Sequence, residues 1–144
     1  MSQGPTIPVH SEDPEMEAAI VSAKQSFGNF LKAFVRPSPQ QRSFLVKIAY
    51  IAGGQNEHIW LADLRLSPKP LRGVVANEPV SQGIKFKQLL EFEPAQITDW
   101  MYVEDGYLVG GYTTRLIRDR LSPEARKAMD ANAPFKIREE GSQS

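Results

Sequence analysis

The chain has no cysteine, which excludes disulfides, thiolate metal sites and cysteine nucleophiles. It has two histidines, and one of them, His10, lies near the N-terminus. No two ligands stand at a metal-binding spacing on a helix, so no metal site is expected. Charge of one sign is not in excess: 17 Lys and Arg balance 17 Asp and Glu. A general nucleic-acid binder needs a basic surplus, so nucleic acid is not an expected partner. No apolar run approaches the roughly 20 residues of a membrane helix. The opening "MSQGPTIPVH" has no basic segment followed by an apolar one, as a signal peptide would. A soluble, cytoplasmic protein with no membrane partner is the expectation. G-x-S-x-G, Walker and dinucleotide glycine patterns are all missing, so no cofactor is expected either.

What is present suits one domain. A chain of 144 residues, 41% of them hydrophobic, can bury a workable core. Residues 1–12 are rich in Pro, Ser, Gly and Gln and read as a flexible tail, as do residues 136–144. Residues 13–135 form the folded unit.

That unit begins with a helix. Asp13 suits the N-cap and Pro14 the first helical position. Met16, Ile20, Ala23, Phe27, Leu31 and Phe34 recur at helical spacing, and Pro37 stops the run. Strands follow. "SFLVKIAYI" and "HIWLADLRL" flank the loop "AGGQNE"; in the second, Trp60, Leu64 and Leu66 are expected on one side. "LRGVVANEPV" ends near Asn77 because Pro79 cannot donate to a ladder, and "QLLEFE" is a further strand. "TDWMYV" and "YLVGGY" meet at Glu104-Asp105-Gly106, a tight turn. A helix capped by Thr113 or Thr114 comes next. Ser122-Pro123 starts another, with Ala125, Ala128 and Met129 inward. Without βαβ alternation the fold class is α+β. A helix covers a twisted antiparallel sheet of five to six strands, with coiling toward a small barrel left open.

Several words of the sequence resemble the YegJ-like bacterial family, a domain of unknown function. They are Glu57-His58-Ile59-Trp60, Asn77-Glu78-Pro79, Asp99-Trp100 and Gly110-Gly111-Tyr112-Thr113. The resemblance runs from the first helix to about Phe135 and implies a small α+β domain. It carries no established reaction, substrate or cofactor. It departs at Lys87-Gln88, where the family pattern suggests a Gly-Asp turn. Its analogy with small bacterial immunity proteins is at family level only.

The residues offer three kinds of site. Glu57, His58, Glu78 and Asp99 are acid–base candidates, since a carboxylate desolvated beside Trp60 or Trp100 has a raised pKa. Acids beside aromatics also serve at strand ends, where they bond to backbone amides. Gly110, Gly111 and Arg115 suggest an anion site, because glycines before a helix expose amides and arginine adds a fork. The same glycines also serve close packing. Finally, five acids and no bases lie between Gln88 and Thr114, and five bases follow between Arg115 and Lys127. Trp100, Tyr102 and Tyr112 lie there too, and aromatics with arginine anchor interfaces. The leading expectation is therefore a non-catalytic module that binds another protein, of the immunity or inhibitor kind. Its surface would hold Trp60, Asn77, Glu78, Asp99, Trp100, Tyr102, Tyr112, Arg115 and Arg118. A small hydrolase or anion-binding enzyme and a structural accessory domain are the alternatives. Oligomeric state is not legible.

Overall fold

Asp13 caps the first helix through its side chain, Oδ1 accepting from Met16 N at 3.2 Å, and Pro14 takes the first helical position. This is seen in a computed structural model that describes residues 13–52, 55–79 and 83–138. The expected tail at 1–12 and the Gly53-Gly54 loop lie outside those residues. The expected single helix is two: α1, Pro14–Gln25, and α2, Phe27–Val35. The break is at Ser26, whose hydroxyl competes for the Ser22 carbonyl at 2.8 Å. The change of axis rotates the apolar stripe. Phe30 and Ala33 become buried and Leu31 becomes exposed. Phe30 stacks on Phe27 and Phe34 and packs against Phe44, Trp100 and Tyr102. This ring cluster joins helix to sheet.

The strands are β1, Gln41–Ala52; β2, Gln55–Arg65; β3, Leu71–Val75; β4, Leu89–Phe92; β5, Ile97–Glu104; and β6, Tyr107–Gly110. They pair antiparallel in the order β4-β3-β2-β1-β5-β6. The ends β4 and β6 do not pair with each other, so the sheet stays open and the barrel alternative is set aside. In β2 the expected alignment of Trp60 with Leu64 and Leu66 fails. The register shifts between Ala62 and Arg65, and Asp63 takes φ 48. This bulge inverts the alternation. Leu64 and Leu66 join the helix-side core, whereas Trp60 packs on the opposite face with Met101, Val103 and Leu108.

Asp105 and Gly106 make the β5–β6 turn with φ 53 and 84, the pattern of a two-residue type I′ hairpin. Lys87, at the departure from the family pattern, takes φ 72, the conformation for which glycine is suited. β6 pairs only with Met101 to Glu104. The earlier half of β5 therefore has no strand on its outer side, and α1 packs there together with α3, Tyr112–Asp119. The last helix, α4, Pro123–Asn132, is capped by Ser122 Oγ. It has no buried residue, so the inward face expected at Ala125, Ala128 and Met129 is not a core face; of the three, Met129 alone is partly covered. Pairing continues past Phe135. Lys136 N donates to Gly106 O, and Leu108 N donates to Lys136 O, each at 2.8 Å.

Candidate functional site

Asp99 sits at the junction of β5 and α3 and is fully buried. Its Oδ1 accepts from Trp100 N at 2.8 Å and Tyr112 N at 3.1 Å. Its Oδ2 accepts from Thr113 N at 2.8 Å and from the Thr113 hydroxyl. The helix therefore starts on a carboxylate thirteen residues away in sequence, not on Thr113 or Thr114. Gly111, at φ 65, occupies the N-cap and has no side chain to do this itself. The capping demand for the first free amides is met by Asp99, and the helix dipole favours its charge.

The neighbouring glycines are packing devices. A Cβ on Gly110 would lie 2.5 Å from the Trp100 ring, and one on Gly111 would lie 2.8 Å from Leu108 Cδ2. Trp100 is core, and its Nε1 donates to Ala23 O at 3.0 Å. Tyr102 is buried beside it and Tyr112 packs edge-on against Trp100. Arg115 donates from Nε to Gly110 O and from Nη2 to Leu108 O, both at 2.8 Å. Arg118 is buried and forks onto both carboxylate oxygens of Asp130 in α4 at 2.8 Å. Arg120 reaches Asp13 and Glu15 at the start of α1, holding Asp13 down at about 2. Arg115, Arg118 and Arg120 thus reach the β6 carbonyls, α4 and the start of α1 respectively. Arg115 and Arg118, with Tyr112 and Arg138, do line a cavity of about 480 Å³.

The remaining candidates are dispersed. Asn77 Oδ1 accepts from Trp60 N at 2.7 Å and ties the β3 end to β2. Glu78 is exposed in the connection after β3. Glu57 and His58 are adjacent on β2 and so point to opposite faces. Glu57, His58, Glu78 and Asp99 do not converge as one acid–base set. Among the described residues no three His, Asp or Glu groups are placed to hold a metal ion. Nor is any helix among them long and apolar enough to cross a membrane.

His58 does belong to a different constellation, one that the sequence reading missed. It lines a pocket of about 360 Å³ with Lys47, Thr98 and Thr113, while Met16, Ile20 and Ile117 supply apolar wall. Lys47 lies opposite both Trp60 and Asp99 in the sheet register. It is only 8% exposed. Its Nζ lies 5.4 Å from the centre of the Trp60 ring. Burial lowers its pKa from the ordinary lysine value, and the charge of Asp99 works against that shift. A signal existed: Lys47 is the one charge in "SFLVKIAYI", a strand buried on both faces at its middle.

Fold and site together define a small α+β domain: an open six-stranded sheet with a carboxylate-capped helix and a lysine-bearing pocket. The chain belongs to the family described as "Uncharacterized protein conserved in bacteria (DUF2314)", whose family model matches residues 13–137. It is 29% identical over 99 residues to "Uncharacterized protein YegJ" of Escherichia coli (strain K12), covering 68% of this chain and 63% of that protein. It is 30% identical over 96 residues to "Putative ankyrin repeat protein NMB1133/NMB1171" of Neisseria meningitidis serogroup B (strain ATCC BAA-335 / MC58). That match covers 60% of this chain and 36% of the other. The matched region is thus less than two thirds of either relative. The YegJ-like resemblance is borne out. No solved structure matches the chain.

Proposed function

We propose that the domain is a non-catalytic binding module whose ligand site is the pocket between α1, α3 and the Lys47 face of the sheet. The observation that carries this reading is Lys47. Lys47 is mostly buried and lines the pocket, so it sets a charged group in an otherwise largely apolar wall. Small-molecule sites are apolar cavities with a few convergent polar groups, and Lys47, His58 and Thr98 supply those groups here. The alternative of a protein-docking surface running from Asp99 to Arg118 has less support. Trp100, Tyr102 and Arg118 are buried in the fold; an immunity or inhibitor role rests on no further feature. A cytoplasmic setting is retained as part of the proposal.

The test is a fragment titration of the purified chain followed by amide NMR. The fragments span acids, bases and neutral molecules. Shifts should concentrate at Lys47, His58, Thr98, Thr113 and Ile117. A fragment library that moves none of these amides would overturn the reading.

A further inference from the structure

We infer that the cavity between α3 and the segment after α4 is a second binding site, for a small organic oxyanion held by Arg115 and Arg138. It shares no lining residue with the Lys47 pocket, so the two sites stand or fall separately.

Unbalanced charge is the first argument. The wall holds Arg115, Arg118 and Arg138 against one acid, Asp119. Arg118 is matched by Asp130 at 2.8 Å. Arg115 gives Nε and Nη2 to the carbonyls of Gly110 and Leu108. Its charge thus meets dipoles and no carboxylate, and Nη1 is the donor those two bonds leave over. The Arg138 guanidinium lies 3.9 Å from the centre of the Tyr107 ring. Stacking covers a face of that group and leaves its N–H edge for a fork. Among the described residues, neither Arg115 nor Arg138 has a carboxylate within ion-pair distance. Asp119 is exposed, so solvent and salt screen its opposition to an anion. Burial is the main cause that lowers the Arg115 pKa. The like charge of Arg118 lowers it further, while Tyr112, Asp99 and Asp119 pull the other way. A bound anion adds to that pull.

Geometry is the second argument. The amides that open α3 are not the site, because Asp99 already accepts from Tyr112 N and Thr113 N. A carboxylate of the chain itself fills the place an anion would take beside Gly110 and Gly111. The site is instead the cavity that Arg115 and Arg138 line together. Both guanidiniums are half-buried, one fixed by two carbonyls and the other by a ring, so little freedom is lost when they bind. The cavity of about 480 Å³ falls within the roughly 300–1,000 Å³ typical of ligand sites. Leu116 and Ile137 give it apolar wall for the body of the ligand. A guanidinium fork takes carboxylate and phosphate oxygens alike, so the shared chemistry is the oxyanion. A cation is repelled here, and a neutral amide leaves the charge unbalanced.

The experiment titrates the full chain with benzoate, phenyl phosphate, benzamide and benzylamine, read by amide NMR. Selective binding of either anion supports the inference, and the order of the two assigns the head group. The anion should move the amides of Leu116, Asp119, Ile137 and Arg138 saturably, with benzamide and benzylamine at least ten-fold weaker. Added salt should weaken it. Arg138→Gln should weaken the anion about ten-fold, and Arg138→Lys, which keeps the charge and loses the fork, by less. The Nε–H resonances of Arg115 and Arg138 in the natural chain give an answer that needs no variant: they move with the anion and stay with benzamide. Benzamide binding as tightly as the anions would overturn the inference. So would anion binding unchanged in Arg138→Gln, anion shifts confined to the Lys47 pocket, or no saturable shift with either anion.

Discussion

The carboxylate of Asp99 accepts both the backbone N–H and the side-chain hydroxyl of Thr113, so a strand residue starts a helix that follows it after a whole hairpin. Asp99→Ala would orphan the Thr113 hydroxyl and three amides in a buried site. Each orphaned donor costs about 1–3 kcal/mol, less what local relaxation recovers, so a total of about 3–5 kcal/mol is expected. Thr113→Val, which removes only the hydroxyl, should cost about 1–2 kcal/mol. Urea denaturation measures both. An Asp99→Ala protein with unchanged midpoint would show that the helix does not depend on this cap.

Gly110 and Gly106 both take positive φ, 77 and 84, but their surroundings differ. A Cβ at Gly106 meets nothing within 4 Å, whereas one at Gly110 meets the Trp100 ring at 2.5 Å. Gly106→Ala should therefore cost only the left-handed strain of about 1–2 kcal/mol. Gly110→Ala adds overpacking and should cost about 3 kcal/mol or more in all. Thermal melts of the pair settle the contrast. Equal losses would mean that strain alone matters at both positions.

These two glycines show what was legible in the sequence and what was not. Turn chemistry at Asp105-Gly106 and the caps at Asp13 and Ser122 are local, and each is readable. The break at Ser26 was missed because a hydroxyl that competes with the helix ladder changes no periodicity. The Asp63 bulge was missed because one extra residue flips a face without changing composition. The site was harder still. Asp99, Trp100 and Arg115 attracted notice as functional types, yet each answers a structural demand set by residues distant in the chain. Lys47 was the reverse case. It lies inside an apolar strand, and only the packing of α1 and α3 shows that it lines a pocket.

Trp100 bears on how partner experiments are read. Its ring is 2% exposed and tied to α1 by Nε1. Trp100→Ala should lose about 3–5 kcal/mol as a large-to-small core change. Loss of a partner in a pull-down with this variant would report unfolding. Circular dichroism melts should show the loss directly, and an unshifted melting temperature would return Trp100 to the list of surface residues.

Asp13 links pH to the α1–α3 contact. Its pKa is lowered from 3.8 to about 2, chiefly by the hydrogen bond from Arg120. A depressed carboxylate contributes stability that is present above its unfolded pKa and lost as pH falls through its folded one. Asp13→Asn keeps a good N-cap and removes the charge. The natural chain should be the more stable near neutral pH. Its advantage should disappear between about pH 4 and about pH 2 and shrink with added salt. An advantage that persists at about pH 2 would assign the effect to the cap and not to the ion pair.

Lys47 gives the opposite dependence. Its folded pKa lies below the ordinary 10.5, chiefly because burial disfavours the charge. Below the folded value both folded and unfolded chains are protonated, and the whole cost of burying the ammonium is present. As pH rises from there toward 10.5, the folded chain sheds its proton while the unfolded chain keeps it, so the natural chain gains stability. Lys47→Met has the length of the aliphatic stem and no charge. It should be more stable at pH 7 by on the order of 1 kcal/mol, with the gap narrowing as pH approaches 10.5. Background titrations of other groups cancel in that difference. Urea denaturation of both proteins across this range is the measurement, and a flat gap would show an ammonium that is solvated and not buried. A narrowing gap has a functional meaning. The fold then carries, in the wall of the pocket, a charge that weakens it at neutral pH.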